Sequence, residues 1–242
     1  MCNMATSKII IFMHIPKTAG TTLRTIIERE YSEIAYGYGG FKEEYNNLSR
    51  YMGSRASELQ CIIGHIPFGI HSYYNRPFHY ITFIREPVDR VISLYYYRLY
   101  NKKYLPVEDI GLEKFLNNYY TQACNLQTKF LSGDVDLADM VSLENFIKYK
   151  NEVKPDLEKA IDNLERYFTV GVTDYFNVSI LLMGRELGWN KLDYRQKNVN
   201  PGRPGKEELS TGLIELIKEK NSLDMKLYSY ACNKIKSQLK DY

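Results

Sequence analysis

The chain of 242 residues has little surplus charge of either sign: 32 Lys and Arg stand against 29 Asp and Glu, a formal net charge of +3. That is too small to neutralise a long run of phosphates, which excludes a nucleic-acid partner and requires any anionic ligand to be met locally. Cysteine is scarce as well. Cys2, Cys61, Cys124 and Cys232 are scattered, with no CxxC and no His at ligand spacing, so neither a zinc site nor a disulfide framework is indicated, no metal is expected, and a reducing compartment fits best. No apolar run approaches the ~20 residues that span a bilayer, and Met1 to Ser7 lacks the cationic and apolar regions of a secretory signal. The expectation is a cytoplasmic protein with no membrane partner.

What is present is ordinary in bulk. Hydrophobic residues make up 44% and charged residues 25%, which excludes disorder and fibrous repeats. With no repeat, low-complexity tract or linker, residues 1–242 read as a single domain whose first seven residues form a flexible terminus. The aromatic balance is skewed: 22 Tyr against 10 Phe and 1 Trp. Such an excess suits half-buried surfaces where a ring packs and its hydroxyl stays wet, which means either a sugar-facing cleft or nothing functional.

Lys8 to His14 is a continuous β-branched run, the pattern of a strand buried on both faces. It leads into a tight loop, after which Leu23, Ile26, Ile27 and Tyr31 mark one helix face. The same order recurs at Cys61 to Ile63, followed by Gly64 and His65, and at Phe78 to Ile84, followed by Arg85 and Glu86. Pro87 then stands at the first position of a helix carrying Val88, Val91, Ile92, Tyr95 and Leu99. Phe168 to Val172 is a fourth strand, with Thr173 or Asp174 capping a helix to about Leu187. Helices are also expected over Leu112 to Tyr120, Gln122 to Leu131, Leu143 to Lys150, Asp156 to Arg166, Glu207 to Lys220 and Leu223 to Leu239. Strands alternating with helices predict an α/β class with three layers: a central parallel, doubly wound sheet flanked by helices.

Two loops carry the chemistry. Pro16-Lys17-Thr18-Ala19-Gly20-Thr21-Thr22, between a buried strand and a helix start, is a phosphate or sulfate cradle: small residues admit an anion to the backbone amides, and Lys17 adds a point charge. It is not an ordinary nucleoside-triphosphate loop, because Thr21 stands where the Lys before the final Ser or Thr should be, and Ile15 where the first Gly should be. The strand Phe78 to Ile84 moreover ends in Arg85 rather than in a magnesium-binding Asp. Arg85, with Ser93 two helical turns on, makes a second anion site whose guanidinium fork can hold a phosphate bidentately. His65, just past a strand end, belongs on the same carboxyl edge, and a histidine with its ordinary pKa near ~6.5 can take a proton from a hydroxyl. His14 beside the cradle is a competing base. His71 and His79 are less well placed. Within Tyr95-Tyr96-Tyr97, with Tyr100, Tyr104, Tyr73 and Tyr74, packing is favoured over sugar stacking, because consecutive residues of a helix point in different directions.

IPKTAGTT paired with TFIREPVDRVISLYYY resembles the cytosolic and Golgi sulfotransferase superfamily, and more narrowly the bacterial relatives of its carbohydrate, heparan-type members. The likeness extends to Gly64-His65, to Asn125 through Gly133 and to Asn198 through Pro204. It implies a P-loop-like three-layer fold, and 3′-phosphoadenylyl sulfate as co-substrate. Lys17, Thr18, Ala19, Gly20, Thr21 and Thr22 would bind the 5′-phosphosulfate, Arg85 and Ser93 the 3′-phosphate, and His65 would be the base. Arg203, in a late basic loop with Arg195, Lys197 and Lys206, would close over the nucleotide. The acceptor so implied is a hydroxyl, with saccharide leading only through resemblance. A kinase or NTPase, or a non-catalytic nucleotide-binding module, are the rival readings.

Overall fold

The computed structural model describes residues 8–37, 56–100, 110–133, 154–195 and 204–240. Four strands lie where the sequence expects them: β1 at Ile9–Met13, β3 at Cys61–Gly64, β4 at Phe78–Ile84 and β5 at Phe168–Val172. Between the first two is β2, Ile34–Gly37, whose four residues are too few and too mixed to show a strand period in sequence. The sheet order is β2-β3-β1-β4-β5, and every neighbouring pair is parallel. Gly64 faces Gly37 across the β2–β3 edge. A side chain on Gly64 would overlap the Gly37 carbonyl, so the two backbones approach there only because this position has no Cβ.

Nine described helices follow in chain order: α1 Gly20–Glu30, α2 Pro87–Tyr100, α3 Leu112–Asn118, α4 Tyr120–Ala123, α5 Leu126–Ser132, α6 Leu157–Tyr167, α7 Phe176–Leu187, α8 Thr211–Lys220 and α9 Ser222–Lys240. Alternation along β1 separates them into layers. Ile9, Ile11 and Met13 pack with Phe130 of α5, Leu164 of α6 and Leu227 and Ile235 of α9. Ile10 and Phe12 pack on the other face with Leu23, Ile26 and Ile27 of α1 and Ile180 and Met183 of α7. β1 is therefore covered on both sides, which is why its sequence shows no polar alternation. A third cluster gathers Val88, Val91, Ile92 and Tyr95 of α2 against Phe115 and Leu116 of α3 and Ile217 of α8, the α2 face expected from its spacing. Among the described residues no helix is long and apolar enough to cross a membrane.

Three boundaries differ from expectation, each for a local reason. The helix expected over Gln122 to Leu131 is broken between α4 and α5, where Asn125 takes a left-handed φ of 47°. Its side-chain oxygen accepts from the amides of Leu223 and Asp224 at 3.0 and 3.1 Å, and buried Arg90 donates to the Gln122 and Ala123 carbonyls at 3.2 and 2.7 Å. Those carbonyls would otherwise continue the helix. Neither Thr173 nor Asp174 caps α7. A 3₁₀ turn, Thr173–Tyr175, intervenes, and Asp174 instead accepts from the Tyr228 hydroxyl. Finally, α8 starts at Thr211 rather than Glu207, because Ser210 caps it through the Leu213 amide at 3.3 Å. The expected helix Leu143 to Lys150 lies outside the described residues.

Candidate active site

From β1 the chain runs outward to β2, returns to β3 beside β1, and only then crosses to β4 on the other side. That reversal leaves a crevice at the carboxyl end of β1, the place where open α/β sheets bind ligands. The loop after β1 is the cradle. The residue after β3 is His65, and the residue after β4 is Arg85, so the topology sets the two on opposite sides of the cradle.

The cradle is shaped by its own residues. Lys17 and Ala19 have left-handed φ values of 72° and 62° on either side of Thr18, the alternation of hand that builds anion-binding nests of backbone amides. Buried Thr18 holds the turn by donating its hydroxyl to the Ile15 carbonyl at 2.8 Å, so that hydroxyl shapes the loop from within. Ala19 is the α1 N-cap, and its carbonyl accepts from the Thr22 amide at 3.1 Å. Any Cβ at Gly20 would fall on the His14 ring. Glycine is required there by contact rather than by φ. Lys17 sends its ammonium over the ring of Tyr97 on α2, 3.9 Å from the centroid.

Two histidines meet beside the cradle. His14 follows β1 and His65 follows β3, and since Met13 pairs with Gly64 their rings lie 4.6 Å apart. The Nδ1 of His65 is 2.6 Å from the His14 carbonyl oxygen. A carbonyl can only accept, so Nδ1 carries the hydrogen and the neutral ring holds its lone pair on Nε2. His14 also packs on Phe12, with ring centroids 5.3 Å apart. Desolvation pulls the His14 pKa well below 6.5, and His65, Arg24 and Lys17 push it the same way. His71 is in hydrogen-bond contact with the Tyr80 hydroxyl at 3.0 Å and stacks on Phe78. His79 is bonded to the Thr169 hydroxyl at 2.7 Å.

On the other side, Arg85 donates through Nη1 to the Lys17 carbonyl at 3.2 Å, tying the end of β4 to the cradle. Ser93 is half-buried on α2. Asp89, four residues before it, lies 3.8 Å from the Lys206 ammonium, so the end of the late basic loop rests one turn from Ser93. Arg195 is exposed; Lys197 and Arg203 lie outside the described residues. The tyrosine run divides as helix geometry requires. Tyr95 is buried against Phe115, Tyr96 meets Tyr95 and Tyr100, and Tyr97, 41% exposed, carries Lys17. Tyr74 is buried and Tyr73 exposed.

No role is assigned from sequence to the buried polar residues behind Arg85 and α2. Fully buried Arg90, Gln127, Thr128 and Asp224 form a polar cluster assembled from α2, α5 and α9. Desolvation lowers the Arg90 pKa and the nearby Asp224 carboxylate opposes that shift. The advance signals were the likeness over Asn125 through Gly133, which assigned no role there, and the polar residues Asn125, Gln127, Thr128 and Lys129 ahead of Phe130 and Leu131.

The chain is similar to heparan-sulfate 6-O-sulfotransferase 1 of Cricetulus griseus, 26% identical over 275 residues that cover 95% of this chain and 67% of that protein. Heparan-sulfate 6-O-sulfotransferase 2 of Homo sapiens is 28% identical over 268 residues covering 92% of this chain, which spans only 44% of that protein. Among solved structures, mouse sulfotransferase SULT7A1 complexed with PAP superposes with a TM-score of 0.48 at 17% identity, over 93% of this chain and 89% of that one. A model of the Sulfotransferase family matches residues 2–231, and the chain belongs to that family.

Proposed function

We propose that the protein transfers the sulfuryl group of 3′-phosphoadenylyl sulfate to a hydroxyl of a carbohydrate. The observation that carries the reading is the convergence of three elements on one crevice: a cradle with two left-handed residues, His65 on one side of it and Arg85 on the other. Family membership and likeness to two heparan-sulfate sulfotransferases support the reaction class and favour a saccharide acceptor. Three described cysteines are buried free thiols, which suits the reducing, cytoplasmic setting proposed for it.

In this reading the cradle amides and Lys17 through Thr22 hold the 5′-phosphosulfate, while Arg85 and Ser93 hold the 3′-phosphate. Arg203 is proposed to close over the nucleotide from a loop whose described end docks on Asp89. His65 accepts the acceptor's proton on Nε2 as a new O–S bond forms. The S–O bond to the 5′-phosphate breaks, and Lys17 stabilises the charge that develops on the departing phosphate oxygen. The bond from His65 Nδ1 to the His14 carbonyl fixes the tautomer this needs. His14 is the poorer base, because desolvation and neighbouring cations oppose its protonation and its ring is packed against Gly20.

The test gives the purified protein ³⁵S-labelled 3′-phosphoadenylyl sulfate with heparan-type oligosaccharides and, separately, ATP with magnesium. Label is expected on the saccharide, and His65→Ala is expected to lose about 10²- to 10⁴-fold in turnover while binding 3′-phosphoadenosine 5′-phosphate (PAP) as the wild type does. Turnover of ATP without binding of the sulfated donor overturns the assignment in favour of an NTPase; binding of PAP without transfer to any hydroxylated acceptor favours a binding module.

A further inference from the structure

The register of β4 with β5 ends at Ile84 opposite Val172, one residue short of Arg85, whose amide and carbonyl lie beyond the last paired position of that ladder. A side chain takes that place. The Oε1 of Gln127 accepts from the Arg85 amide at 2.8 Å, and its Nε2 donates to the Arg85 carbonyl at 2.9 Å, the pair of bonds a neighbouring strand would supply. Gln127 is fully buried, and its own backbone is anchored in turn. Its amide donates to one oxygen of Asp224 at 3.1 Å, while the amide and hydroxyl of Thr128 donate to the other at 2.7 and 2.8 Å.

We propose that Gln127 is a positioning residue for the anion site at Arg85: its amide extends β4 by one residue and directs the guanidinium to the cradle, where Nη1 meets the Lys17 carbonyl. The proposal rests on reading Arg85 as a ligand of the nucleotide. Gln127 touches no reacting atom in this account and acts only through Arg85. A glutamine suits the role because it alone among side chains of that length offers an acceptor and a donor on one planar group, matching an N–H and a C=O of the same residue.

The test is a double-mutant cycle on PAP affinity, measured by calorimetry with Gln127→Met, Arg85→Ala and the double variant. Thr128→Val serves as a control that loses a buried bond to Asp224 while leaving the clamp in place. Gln127→Met is expected to weaken PAP binding roughly tenfold, and the double variant to bind no more weakly than Arg85→Ala alone. Thr128→Val is expected to melt earlier but to bind normally. Gln127→Glu, isosteric and keeping the acceptor, should fall between Gln127→Met and wild type; it runs the same cycle if Gln127→Met does not fold. Wild-type affinity in the Gln127 variants overturns the proposal, as does a penalty that recurs in full when Arg85 is absent, which general loosening of the fold would produce. A folded wild type that fails to bind PAP overturns the donor assignment itself, and this inference with it.

Discussion

The two elements proposed to bind the nucleotide's anionic groups on the carboxyl edge are built in opposite ways. The cradle is held by its immediate neighbours in the chain: Thr18 bonds to Ile15, Thr22 to Ala19, and Gly20 leaves room for His14. Arg85 is held by Gln127, 42 positions away, which is fixed by Asp224, 97 positions further on. A local device fails when one of its own residues changes. A distributed one can fail through residues that never approach the ligand, and damage there falls first on stability and only then on binding.

The sharpest contrast is between Lys17 and Asp224. In single-turnover measurements Lys17→Ala is expected to slow sulfuryl transfer by about 10²-fold or more, the scale of losing one preorganised charge contact in a transition state, with little change in melting temperature. An unchanged single-turnover rate would remove Lys17 from the chemistry. Asp224→Ala should do the reverse. It strands three buried donors, the amides of Gln127 and Thr128 and the Thr128 hydroxyl, each costing about 1–3 kcal/mol. A loss of about 3 kcal/mol or more in denaturant unfolding is expected, and a variant as stable as wild type would show that the network is not what anchors α5.

Within the cradle, Gly20→Ala forces either the His14 ring or the loop to move, at a cost of about 1–3 kcal/mol, and should weaken PAP binding by roughly tenfold. Equal affinity would mean that the ring yields without disturbing the amides. A smaller effect is expected at Tyr97. Tyr97→Phe keeps a ring beneath the Lys17 ammonium and Tyr97→Leu removes it; at an exposed cation–π contact worth about 0.5–1 kcal/mol, the leucine variant should lose only a few-fold in kcat and the phenylalanine variant almost nothing.

The mildest test uses pH. Desolvation is the largest cause of the low pKa values of His14, His71 and His79, so the folded chain binds these protons less readily than the unfolded chain does. The unfolded state takes up more protons as pH falls below about 6.5, and stability is therefore full above that pH and declines beneath it. His14→Gln should flatten part of that slope in unfolding experiments carried out between pH 7 and 5; an undiminished slope would assign the effect to the other two.

Legibility follows the same division between local and distributed construction. Pro16 through Thr22 could be read as a cradle because strand end, small residues, lysine and helix start are consecutive, and the fold class followed from apolar runs ending at His14, Gly64 and Arg85. Pro87 at the start of α2 and the Val88-Val91-Ile92-Tyr95 face were readable because helix periodicity is a property of neighbouring residues. Short β2 was not, since four residues carry no period. Nor was the break at Asn125: the carbonyls freed there are taken by Arg90, and the asparagine side chain caps α9, contacts that exist only once distant segments have met.

By itself, the sequence determined the order of strands and helices, the composition of the cradle and the identity of the charged and titratable groups at the strand ends. Tertiary structure decided which of these meet. Parallel register set His65 against the His14 carbonyl and so fixed which ring nitrogen carries the proton, and packing of α5 against α9 delivered Gln127 to the end of β4. The physical reason is range: hydrophobic period and turn chemistry act over a few residues and are written in order along the chain, whereas a buried hydrogen bond depends on two groups whose separation in sequence says nothing about their distance in the fold.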